Sequence, residues 1–450
     1  KIMQFEKLAE DVFEDILHSG GYVYIVGGCV RDEVMGIQGE NDIDVEVYHL
    51  TYQQLYDVLA RHGHVNTFGQ SFAIMQLDCL THYDFALPRK EKKTGEKHQD
   101  FQVMIDPELS LDKAIQRRDL TMNALMYDYQ QGKIIDLCGG IDDIKNRVIR
   151  CVNVKTFAED PLRVLRIAQF VARFDMLVEK RTLQLCKEMV KQHMLDHLSI
   201  ERVYSEYSKI LMAEKPSLGF EFLRAIDALP PYLKALETTH QRLDYHPEGH
   251  VFNHTMLVID VAALTKHKTD HPLWFMWSCL LHDIGKPVVT TKEGHAHGHN
   301  EAGVEVFKQV DIITAKKERE YIFTMIMYHM HLMNMARNHS RDLSYLRLLK
   351  KIDGKVSLND LICISCCDKL GRGKVAREQY DAFLEFIADK KARLGDRAKP
   401  PMINGNDLLE AGFKADKQLK KVLAEAYDLQ LQGIDRERIL RSLKKKYDKG

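Results

Sequence analysis

The spacing of hydrophobic and polar positions changes once along this chain of 450 residues. Within the first 150 residues, short apolar or alternating segments are separated by Gly, Asn and Pro, a pattern typical of β-strands. The predicted strands span residues 22–26, 42–48, 72–77, 83–87 and 133–136. From residue 160 onward, apolar side chains recur at helical spacing, as in Leu162, Leu165, Ala168 and Val171. The pattern therefore predicts an α/β head followed by an all-helical remainder.

Two charged segments without hydrophobic periodicity interrupt this pattern. Residues 88–100 are expected to form a mobile loop, and residues 390–401, which end in a Pro-Pro pair, are expected to lead into a C-terminal tail. Pro216 and Pro230 break later helices, and a chain of 450 residues is too long for one compact core, so two to four domains are expected and we divide the chain into four. They are a head at 1–150, a helical neck and body at 151–240, a second helical domain at 241–389 and a basic helical tail at 390–450.

Composition narrows the class of protein. Hydrophobic residues make up 45% of the chain and charged residues 29%, as in ordinary soluble globular proteins. The formal net charge of −1 excludes a global basic field, so any RNA-binding surface must be local. The most basic stretch is the C-terminal tail, with Lys420-Lys421 and Lys444-Lys445-Lys446, although such runs are usually a solvated helix face.

The nine cysteines have no spacing that suggests a disulfide framework, which fits a reducing cytoplasm. Cys363, Cys366 and Cys367 form a C-x-x-C-C pattern, but no second pair lies near it in the sequence. Helix packing is therefore expected here rather than a zinc site. No apolar run reaches the roughly eighteen residues that a membrane-spanning helix needs. We therefore expect a cytoplasmic protein without a membrane partner.

The segment YIVGGCVRD and the segment NDIDVEV after it carry the most specific chemistry of the head. Asp42 and Asp44 lie two residues apart on a predicted strand, so their side chains should point to the same face. Two such carboxylates repel each other unless a divalent cation lies between them, and oxygen ligands suit Mg²⁺. The Gly27-Gly28 turn allows close backbone approach, and Arg31 lies near a helix start that favours an anion. Each feature alone is usually a plain turn or a solvated strand edge, but together they predict phosphoryl or nucleotidyl transfer.

Histidines and aspartates on predicted helices indicate a second metal site. His254 lies at the start of one helix, His282 and Asp283 follow an apolar helix, and Asp368 lies at the end of a later helix. Imidazole and carboxylate together bind a divalent transition metal or Mg²⁺ and activate water. Lys286 could hold a phosphate. Further side chains could bring a second ion, although a His-rich loop is often only polar surface: His295, His297, His299, Glu301, His329 and His331.

Four motifs in a fixed order carry a resemblance to a known family. They are GGCVRD, DIDVEV, QRRDLTMNAL at residues 116–125 and AEDPLRVLRIAQF at residues 158–170. This set resembles the class II tRNA nucleotidyltransferases, which are the CCA-adding enzymes and the bacterial poly(A) polymerases, over roughly residues 20–225. The resemblance implies a polymerase β-like α/β nucleotidyltransferase head followed by an all-helical neck, body and tail. It also implies tRNA, CTP and ATP as partners.

The resemblance further implies catalytic roles in the head. Asp42 and Asp44 would hold Mg²⁺ for the attack of a 3′-hydroxyl on a nucleoside triphosphate. Asp84 on a neighbouring predicted strand is a candidate third carboxylate, and a solvated strand residue is an equally good explanation of it.

Nucleotide-binding roles follow from the same resemblance. Gly28, Arg31 and Arg118 would contact the triphosphate, and Asn123 would support the loop or the metal shell. Asp160, Arg163 and Arg166 would lie near one helix face and read the base edges that C and A share. On its own, Asp160 before Pro161 would be a good helix cap.

The H…HD…D set resembles the HD phosphohydrolase superfamily. It implies hydrolysis of the 2′,3′-cyclic phosphodiesterase, 2′-nucleotidase or phosphatase type, with a divalent metal of unassigned identity. The expected function is therefore CCA addition or repair on tRNA, combined with an HD-domain phosphohydrolase activity. A poly(A) polymerase, or an enzyme that adds only CC or only A, stays open within the same class. An HD phosphohydrolase with a non-catalytic RNA-binding head is the alternative from another class.

Overall fold

A computed structural model describes residues 3–38, 42–68, 74–93, 101–244, 246–372 and 377–447. The chain divides into two compact units. The first contains Lys1–Ile210 and Leu218–Ala228, and the second contains Leu211–Ser217 and Leu229–Gly450. The first unit holds the sheet, and the second is helical.

A seven-stranded sheet in the order β3-β4-β5-β2-β1-β8-β9 forms the first unit's centre. Its strands are β1 (Tyr22–Val26), β2 (Ile43–Tyr48), β3 (Val65–Phe68), β4 (Ile74–Leu77), β5 (Leu80–Ala86), β8 (Met126–Asp128) and β9 (Lys133–Ile135). The pair β2 and β5 is parallel, and the other neighbours are antiparallel. Two further pairs are β6 (Arg89–Lys93) with β7 (Phe101–Ile105), and β10 (Val148–Ile149) with β11 (Leu177–Val178).

The predicted strands agree with the sheet to within a few residues. The prediction for β1 is confirmed at both ends, whereas β2 begins one residue after Asp42. The predicted start at Phe72 lies outside the described residues. The strand predicted at 83–87 begins earlier, at Leu80, because a tight turn reverses the chain directly after β4. Strands β3 and β8 were not predicted, since both are short and lack a clear alternation.

The prediction of a loop at residues 88–100 is wrong for its first part. Residues 89–93 form β6, which pairs antiparallel with β7. Backbone hydrogen bonds hold a two-stranded ribbon of this kind, so it needs no alternation of apolar side chains. Residues 94–100 lie outside the described residues.

The N-terminal half of the chain contains ten α-helices among its described residues. They are α1 (Lys7–His18), α2 (Gly28–Met35), α3 (Tyr52–Ala60), α4 (Leu111–Gln116), α5 (Gly140–Lys145), α6 (Val154–Ala158), α7 (Leu162–Phe174), α8 (Lys180–Lys191), α9 (Ile200–Met212) and α10 (Pro216–Ala225). The core under α1 joins Phe13 and Ile16 to Ile25, Val45 and Phe85 of the sheet.

The opposite face of the sheet carries the polar side chains of interest. Tyr24 and Val26 of β1 pack there with Tyr48 and Met126. Because Val26 is the register partner of Asp44, the Asp44 side chain belongs to the same face.

Helix α7 begins as the sequence predicts. The Asp160 side chain accepts a hydrogen bond from the Leu162 N–H at 3.0 Å, and Pro161 already has helical backbone angles. The apolar stripe of α7, including Leu165, Ala168 and Phe170, is buried. The polar side of α7, which carries Arg163 and Arg166, therefore lies outside this apolar stripe.

The second unit consists of helices packed on one another. They are α11 (Pro231–Glu237), α12 (Val251–Thr265), α13 (Pro272–Leu281), α14 (Lys286–Val289), α15 (His299–Lys308), α16 (Lys316–Tyr328), α17 (His331–Arg337), α18 (Asp342–Ile352), α19 (Leu358–Leu370), α20 (Arg377–Leu394), α21 (Gly405–Glu410), α22 (Leu419–Leu431) and α23 (Arg436–Tyr447). Short 3₁₀ turns lie at Thr121–Asn123, Met194–His197 and Lys266–Lys268. Within the described ranges, no helix is both long and apolar enough to cross a membrane.

The irregular segment expected at residues 390–401 begins later than predicted. Helix α20 continues to Leu394, and its Lys390 side chain is buried against Asp342 with an Nζ–Oδ1 distance of 2.6 Å. The charged sequence was misleading because these charges are paired. The irregular segment starts at Gly395, whose φ of +84° ends the helix.

Candidate active sites of the two units

Three aspartates lie together at one edge of the first unit's sheet. Asp44 on β2 is the register partner of Asp84 on the parallel strand β5, so both side chains are on the same face. Asp42 lies just before β2, and its Oδ1 is 3.6 Å from Nδ1 of His82 on β5. The alternation that placed Asp42 with Asp44 also places Glu46 on this face, a neighbour that the sequence analysis missed.

The electrostatics of this edge favour a cation. Burial raises the pKa of the Asp44 carboxyl above its ordinary value. The charge of Arg118 opposes this rise, whereas the charges of Asp84 and Asp42 add to it. A divalent ion would relieve this repulsion, and a set made only of carboxylate oxygens suits Mg²⁺. The residues present therefore fit the metal that the sequence predicts.

Gly27 allows the turn after β1 to approach the carboxylates. Its φ is +78°, and a Cβ atom at this position would lie 3.1 Å from Oδ2 of Asp44. A side chain here would combine backbone strain with a contact to the carboxylate. The glycine turn and the carboxylate pair are therefore one structural feature.

A buried chain of hydrogen bonds connects the turn to helix α7. Arg31 donates to Asp32 and, through Nη1 at 2.8 Å, to Oδ1 of Asn123. Asn123 donates to Asp119 at 3.1 Å, and Asp119 accepts a hydrogen bond from Nε of Arg166 at 2.7 Å. Burial raises the pKa of Asp119, but the ion pair with Arg166 outweighs burial and leaves the pKa below its ordinary value.

The two arginines of the RRD motif have different surroundings. Arg118 lies 3.0 Å from Oε2 of Glu46 and therefore faces the carboxylate edge. Arg117 donates instead to the backbone carbonyl of Arg89. This geometry is consistent with the choice of Arg118 for nucleotide contact.

The first unit has a pocket of about 300 Å³ beside Asp44, smaller than the pocket of about 380 Å³ in the second unit. The side chains that line the smaller pocket are mostly cationic or amide groups. They and the backbone around them come from Gly27, Gly28, Arg31, Asp44, Arg118, Asp119, Asn123, Arg166, Gln169, Phe170, Arg173 and Lys209. Such a lining suits a polyanion next to a metal-binding edge.

Only one of the three predicted base-reading residues lines this pocket. Arg166 does, whereas Asp160 pairs with Arg202 at 3.2 Å. Arg163 donates to the carbonyls of Thr156 and Arg117 at 2.6 and 2.7 Å. Phe170, which the sequence analysis did not single out, lies under two guanidinium groups, with its ring centroid 5.3 Å from Arg31 Cζ and 5.5 Å from Arg166 Cζ.

The second unit brings the predicted HD residues into one buried cluster. His254 comes from α12, His282 and Asp283 follow α13, and Asp368 comes from α19. Each offers a ligand atom, and these four atoms lie within 4.8 Å of one another. Nε2 of His254 is 2.8 Å from Oδ1 of Asp368, and Nε2 of His282 is 3.1 Å from Oδ2 of Asp283.

Backbone carbonyls orient three of the histidine rings. The Nδ1 atoms of His282, His299 and His329 lie 2.7 to 2.8 Å from carbonyl oxygens three residues earlier. Their Nε2 atoms are buried and form no aligned hydrogen bond among the described residues, although that of His282 lies close to Asp283. Buried nitrogens with free lone pairs are costly unless an ion binds them, so this donor set fits a divalent metal.

The protonation of two of these histidines reflects the same charge balance. Burial lowers the pKa of His282, but Asp283 and Asp368 outweigh it and raise the pKa to about 10. Burial also lowers the pKa of His329, here to about 3. The carboxylates therefore favour positive charge at His282, which a metal ion would supply in place of the proton.

Asp283 connects this cluster to a second one. Its Oδ1 lies 3.5 Å from Nε2 of His299 and 3.8 Å from Nε2 of His329. Asp283, His299 and His329 therefore form a further group of possible ligands. Of the other residues considered for a second ion, His295, His297 and Glu301 line the adjoining pocket, and His331 begins α17.

The pocket of about 380 Å³ beside this cluster is rich in positive charge. Lys286, Arg242, Arg337 and Arg372 are among its lining residues. Nζ of Lys286 is 2.7 Å from Oδ2 of Asp283. This lining suits a phosphate ester.

The nine cysteines, all within the described ranges, are free thiols. Cys363, Cys366 and Cys367 lie on helix α19, as expected, and Cys367 is buried. They belong to none of the possible metal-binding groups found among the described residues.

Comparison with known proteins assigns the class of each unit. Residues 23–150 match the Poly A polymerase head domain, residues 175–239 match a probable RNA and SrmB-binding site of polymerase A, and residues 251–373 match the HD domain. The chain thus combines a nucleotidyltransferase head of the polymerase β type with an HD domain.

Curated relatives match most of the chain. The multifunctional CCA protein of Aromatoleum aromaticum is 35% identical over 369 residues, covering 80% of this chain and 87% of that protein. The protein of the same name from Chromobacterium violaceum is 34% identical and covers 88% of this chain and 90% of its own. The chain belongs to the class II CCA-adding enzyme family and carries an HD domain.

Solved structures share the fold. The Bacillus stearothermophilus CCA-adding enzyme in complex with CTP has a TM-score of 0.66 at 18% identity, with 98% of both chains covered. The Thermotoga maritima CCA-adding enzyme in complex with tRNA has a TM-score of 0.59 at 21% identity, covering 97% of this chain and 94% of that one. The predicted α/β head and helical remainder are confirmed.

Proposed function

We propose that this protein adds or repairs the 3′-terminal CCA of tRNA, using CTP and ATP. The observation that carries this proposal is the carboxylate edge of Asp42, Asp44 and Asp84 beside a pocket lined by arginines. Relatives named multifunctional CCA proteins support the proposal, as do the CCA-adding enzyme structures with CTP and tRNA.

The proposed reaction joins the 3′-oxygen of tRNA to the α-phosphorus of the nucleotide. The bond between the α-phosphorus and the bridging oxygen breaks, pyrophosphate leaves, and the 3′-hydroxyl loses its proton. Asp42 and Asp44 would hold Mg²⁺, with Asp84 as a third oxygen ligand. Bound there, Mg²⁺ supplies activation of the hydroxyl and neutralisation of the triphosphate.

The neighbouring residues would bind and orient the nucleotide. Gly28 allows the backbone to approach the phosphates, and Arg31 and Arg118 would bind their oxygens. Asp160 and Arg163 would turn from their present partners to the base edge on nucleotide binding, with Arg166 beside them. This selection without a nucleic-acid template remains a prediction from the motif.

For the second unit we propose a metal-dependent phosphohydrolase activity on 2′-phosphates or 2′,3′-cyclic phosphates. His254, His282, Asp283 and Asp368 would hold the first metal, which supplies an activated water. His299 and His329 would hold a second ion with Asp283. Lys286 and the pocket arginines would bind the phosphate.

Each proposed role would belong to one of the four domains predicted from the sequence. The head would lie within 1–150, the neck and body with the nucleotide-selecting helix within 151–240, the HD domain within 241–389 and the basic tail within 390–450. The nine free thiols support a cytoplasmic location.

Two reciprocal substitutions test this assignment. Asp42→Ala should abolish CTP and ATP incorporation into tRNA lacking CCA while phosphate-ester hydrolysis continues. Asp283→Asn should do the reverse. Unchanged incorporation by Asp42→Ala refutes the head assignment, and hydrolysis that survives in Asp283→Asn refutes the HD assignment.

A further inference from the structure

A carboxylate just before helix α12 contacts two histidines at once. Oε1 of Glu248 lies 2.8 Å from Nδ1 of His254 and 2.9 Å from Nδ1 of His246. Its other oxygen, Oε2, and Nδ1 of His254 are both buried, and neither forms an aligned hydrogen bond among the described residues. Both ring nitrogens therefore contact the same carboxylate oxygen.

The local backbone holds these groups in place. The Gly249 N–H donates to the carbonyl of His246 at 3.0 Å, which closes a turn around Glu248. Asn253 on the first turn of α12 donates its side-chain amide to the carbonyl of Glu248 at 3.1 Å. Glu248 is thereby fixed in the turn ahead of α12, and its side chain is only 5% exposed.

The chemistry of imidazole decides what this contact does. His254 directs Nε2 to the buried cluster with Asp368, at 2.8 Å. A neutral imidazole has one lone pair and one N–H, so a metal at Nε2 requires the proton at Nδ1. Oε1 of Glu248, 2.8 Å from Nδ1, is the carboxylate oxygen within reach of that proton, and carboxylates are common acceptors for metal-binding histidines.

The same reasoning excludes an independent metal site at this position. A metal ion could be suspected here, because ligand atoms of His246, Glu248 and His254 lie within 4.8 Å of one another. A metal there would require His254 to lose both ring protons while Nε2 serves the main cluster. A proton shared with the carboxylate is far less costly, so the group acts through His254 rather than beside it.

His246 gives the carboxylate a second role. Its Nδ1 bonds to Glu248, and the residue lines the phosphate pocket together with Lys286 and Arg372. With the proton at Nδ1, the lone pair of Nε2 is available to a ligand in that pocket. The neighbouring groups are cations, so an acceptor among them suits a hydroxyl next to the phosphate rather than the phosphate itself.

We propose that Glu248 is a positioning residue that sets the tautomers of both histidines. It holds His254 as an Nε2 metal ligand, and it holds His246 so that Nε2 accepts a hydrogen bond from the ribose hydroxyl adjacent to the substrate phosphate. This inference rests on the proposed HD phosphohydrolase function. Of the two substrates proposed for this site, a 2′-phosphate with its free 3′-hydroxyl makes this contact with His246, and a 2′,3′-cyclic phosphate does not.

Metal affinity tests the first half of the inference. Binding of Mn²⁺ to the metal-free full-length chain is measured by calorimetry for the native protein and for Glu248→Gln, Asp283→Asn and Glu305→Gln. Glu305 is an exposed carboxylate of the same unit that pairs with Lys308, and it serves as the matched control. The Mn²⁺ binding that Asp283→Asn removes is that of the HD site. We expect Glu248→Gln to weaken this binding about 10- to 100-fold and Glu305→Gln to leave it unchanged. The melting temperature of each variant reports correct folding.

Substrate discrimination tests the second half. Hydrolysis of 2′-AMP is compared with that of its 3′-deoxy analogue. The native protein should favour 2′-AMP by about tenfold in kcat/KM, the value of one net hydrogen bond. His246→Asn, whose amide overlays Nδ1, should lose this preference, whereas His246→Gln, whose amide overlays Nε2, should keep part of it.

The outcomes separate this inference from the function on which it rests. If Asp283→Asn binds Mn²⁺ as the native chain does, and the native chain hydrolyses neither compound, the HD function itself is refuted. If the native chain binds Mn²⁺ and Glu248→Gln binds it equally well, only the positioning role of Glu248 is overturned. A preference for 2′-AMP that survives in His246→Asn overturns the role of His246.

Discussion

At the scale of single residues, both proposed metal sites bring charged groups very close to one another. The carboxylates of Asp42, Asp44 and Asp84 share a sheet edge, and Asp283 turns one oxygen to each of two clusters. The three carboxylates of the head repel one another, and the buried polar groups around Asp283 lack hydrogen-bond partners, so each arrangement is costly without a ligand. Both therefore depend on ions and ligands for their charge balance.

Gly27 offers a direct test of the head geometry. Gly27→Ala places a methyl group 3.1 Å from Oδ2 of Asp44 at a residue with φ of +78°. We expect nucleotide incorporation to fall at least tenfold, because the carboxylate must move. Gly36→Ala is the matched control, since Gly36 has a φ of +70° but nothing within 4 Å of the added Cβ. Both variants should lose about 1 kcal/mol of stability, and equal activities in the two would contradict the account.

Asp119 links the stability of the first unit to pH. Its pKa in the folded protein lies below the ordinary value because Arg166 outweighs burial. The stabilisation is therefore present above the unfolded pKa of about 3.9 and is lost as pH falls through the folded value. Asp119→Asn should cost about 3 kcal/mol at pH 7 and progressively less below pH 4.

Urea unfolding at pH 7, 5 and 3 measures this difference. The exposed Asp142, which pairs with Lys145 at 3.8 Å, supplies the control Asp142→Asn, for which we expect almost no effect. If the stability lost in Asp119→Asn grew as the pH falls, the pKa of Asp119 in the folded protein would not be lowered, which would contradict this prediction.

At the scale of elements, helix α7 joins the cap of Asp160 to the pocket residues Arg166 and Phe170. Asp160→Asn keeps an acceptor oxygen for the Leu162 N–H but removes the carboxylate. We expect this variant to keep the melting temperature and lose the preference for CTP and ATP over UTP and GTP. Asp160→Ala should lose the preference and also about 1 kcal/mol of stability. Intact selectivity in Asp160→Asn would leave Asp160 with the capping role alone.

The elements also show what the sequence could predict and what it could not. The strand β1, the start of α7 and the four metal-cluster residues were found because each has a strong local pattern. The hairpin of β6 and β7 was missed because backbone pairing, not side-chain period, holds it. The sequence predicts that the helix ends before residue 390, whereas α20 continues to Leu394. Its charged residue Lys390 is buried in an ion pair with Asp342, which the local sequence does not show. The contacts of Glu46 with Arg118 and of Phe170 with Arg31 join residues distant in sequence, which no local pattern reveals. Glu248 is close in sequence to His246 and His254, but their spacing does not show that the side chains meet.

At the scale of the whole molecule, the two sites differ in the chemistry of their ligands. The head offers carboxylate oxygens alone, whereas the HD cluster includes imidazole nitrogens. Oxygen sets suit Mg²⁺, and imidazole suits transition metals. After treatment with a chelator, Mg²⁺ should restore nucleotide incorporation, while hydrolysis should require Mn²⁺, Co²⁺ or Ni²⁺. Full recovery of hydrolysis with Mg²⁺ alone would contradict this difference.

The most direct test of the central claim is the product ladder formed on tRNA that ends before CCA. The account predicts two added residues with CTP alone, one added residue when ATP is offered to tRNA ending in CC, and exactly three with both nucleotides. Asp44→Ala should give none of these products. A long ladder with ATP alone would identify a poly(A) polymerase, and absence of any product from the native protein would contradict the proposed activity of the head.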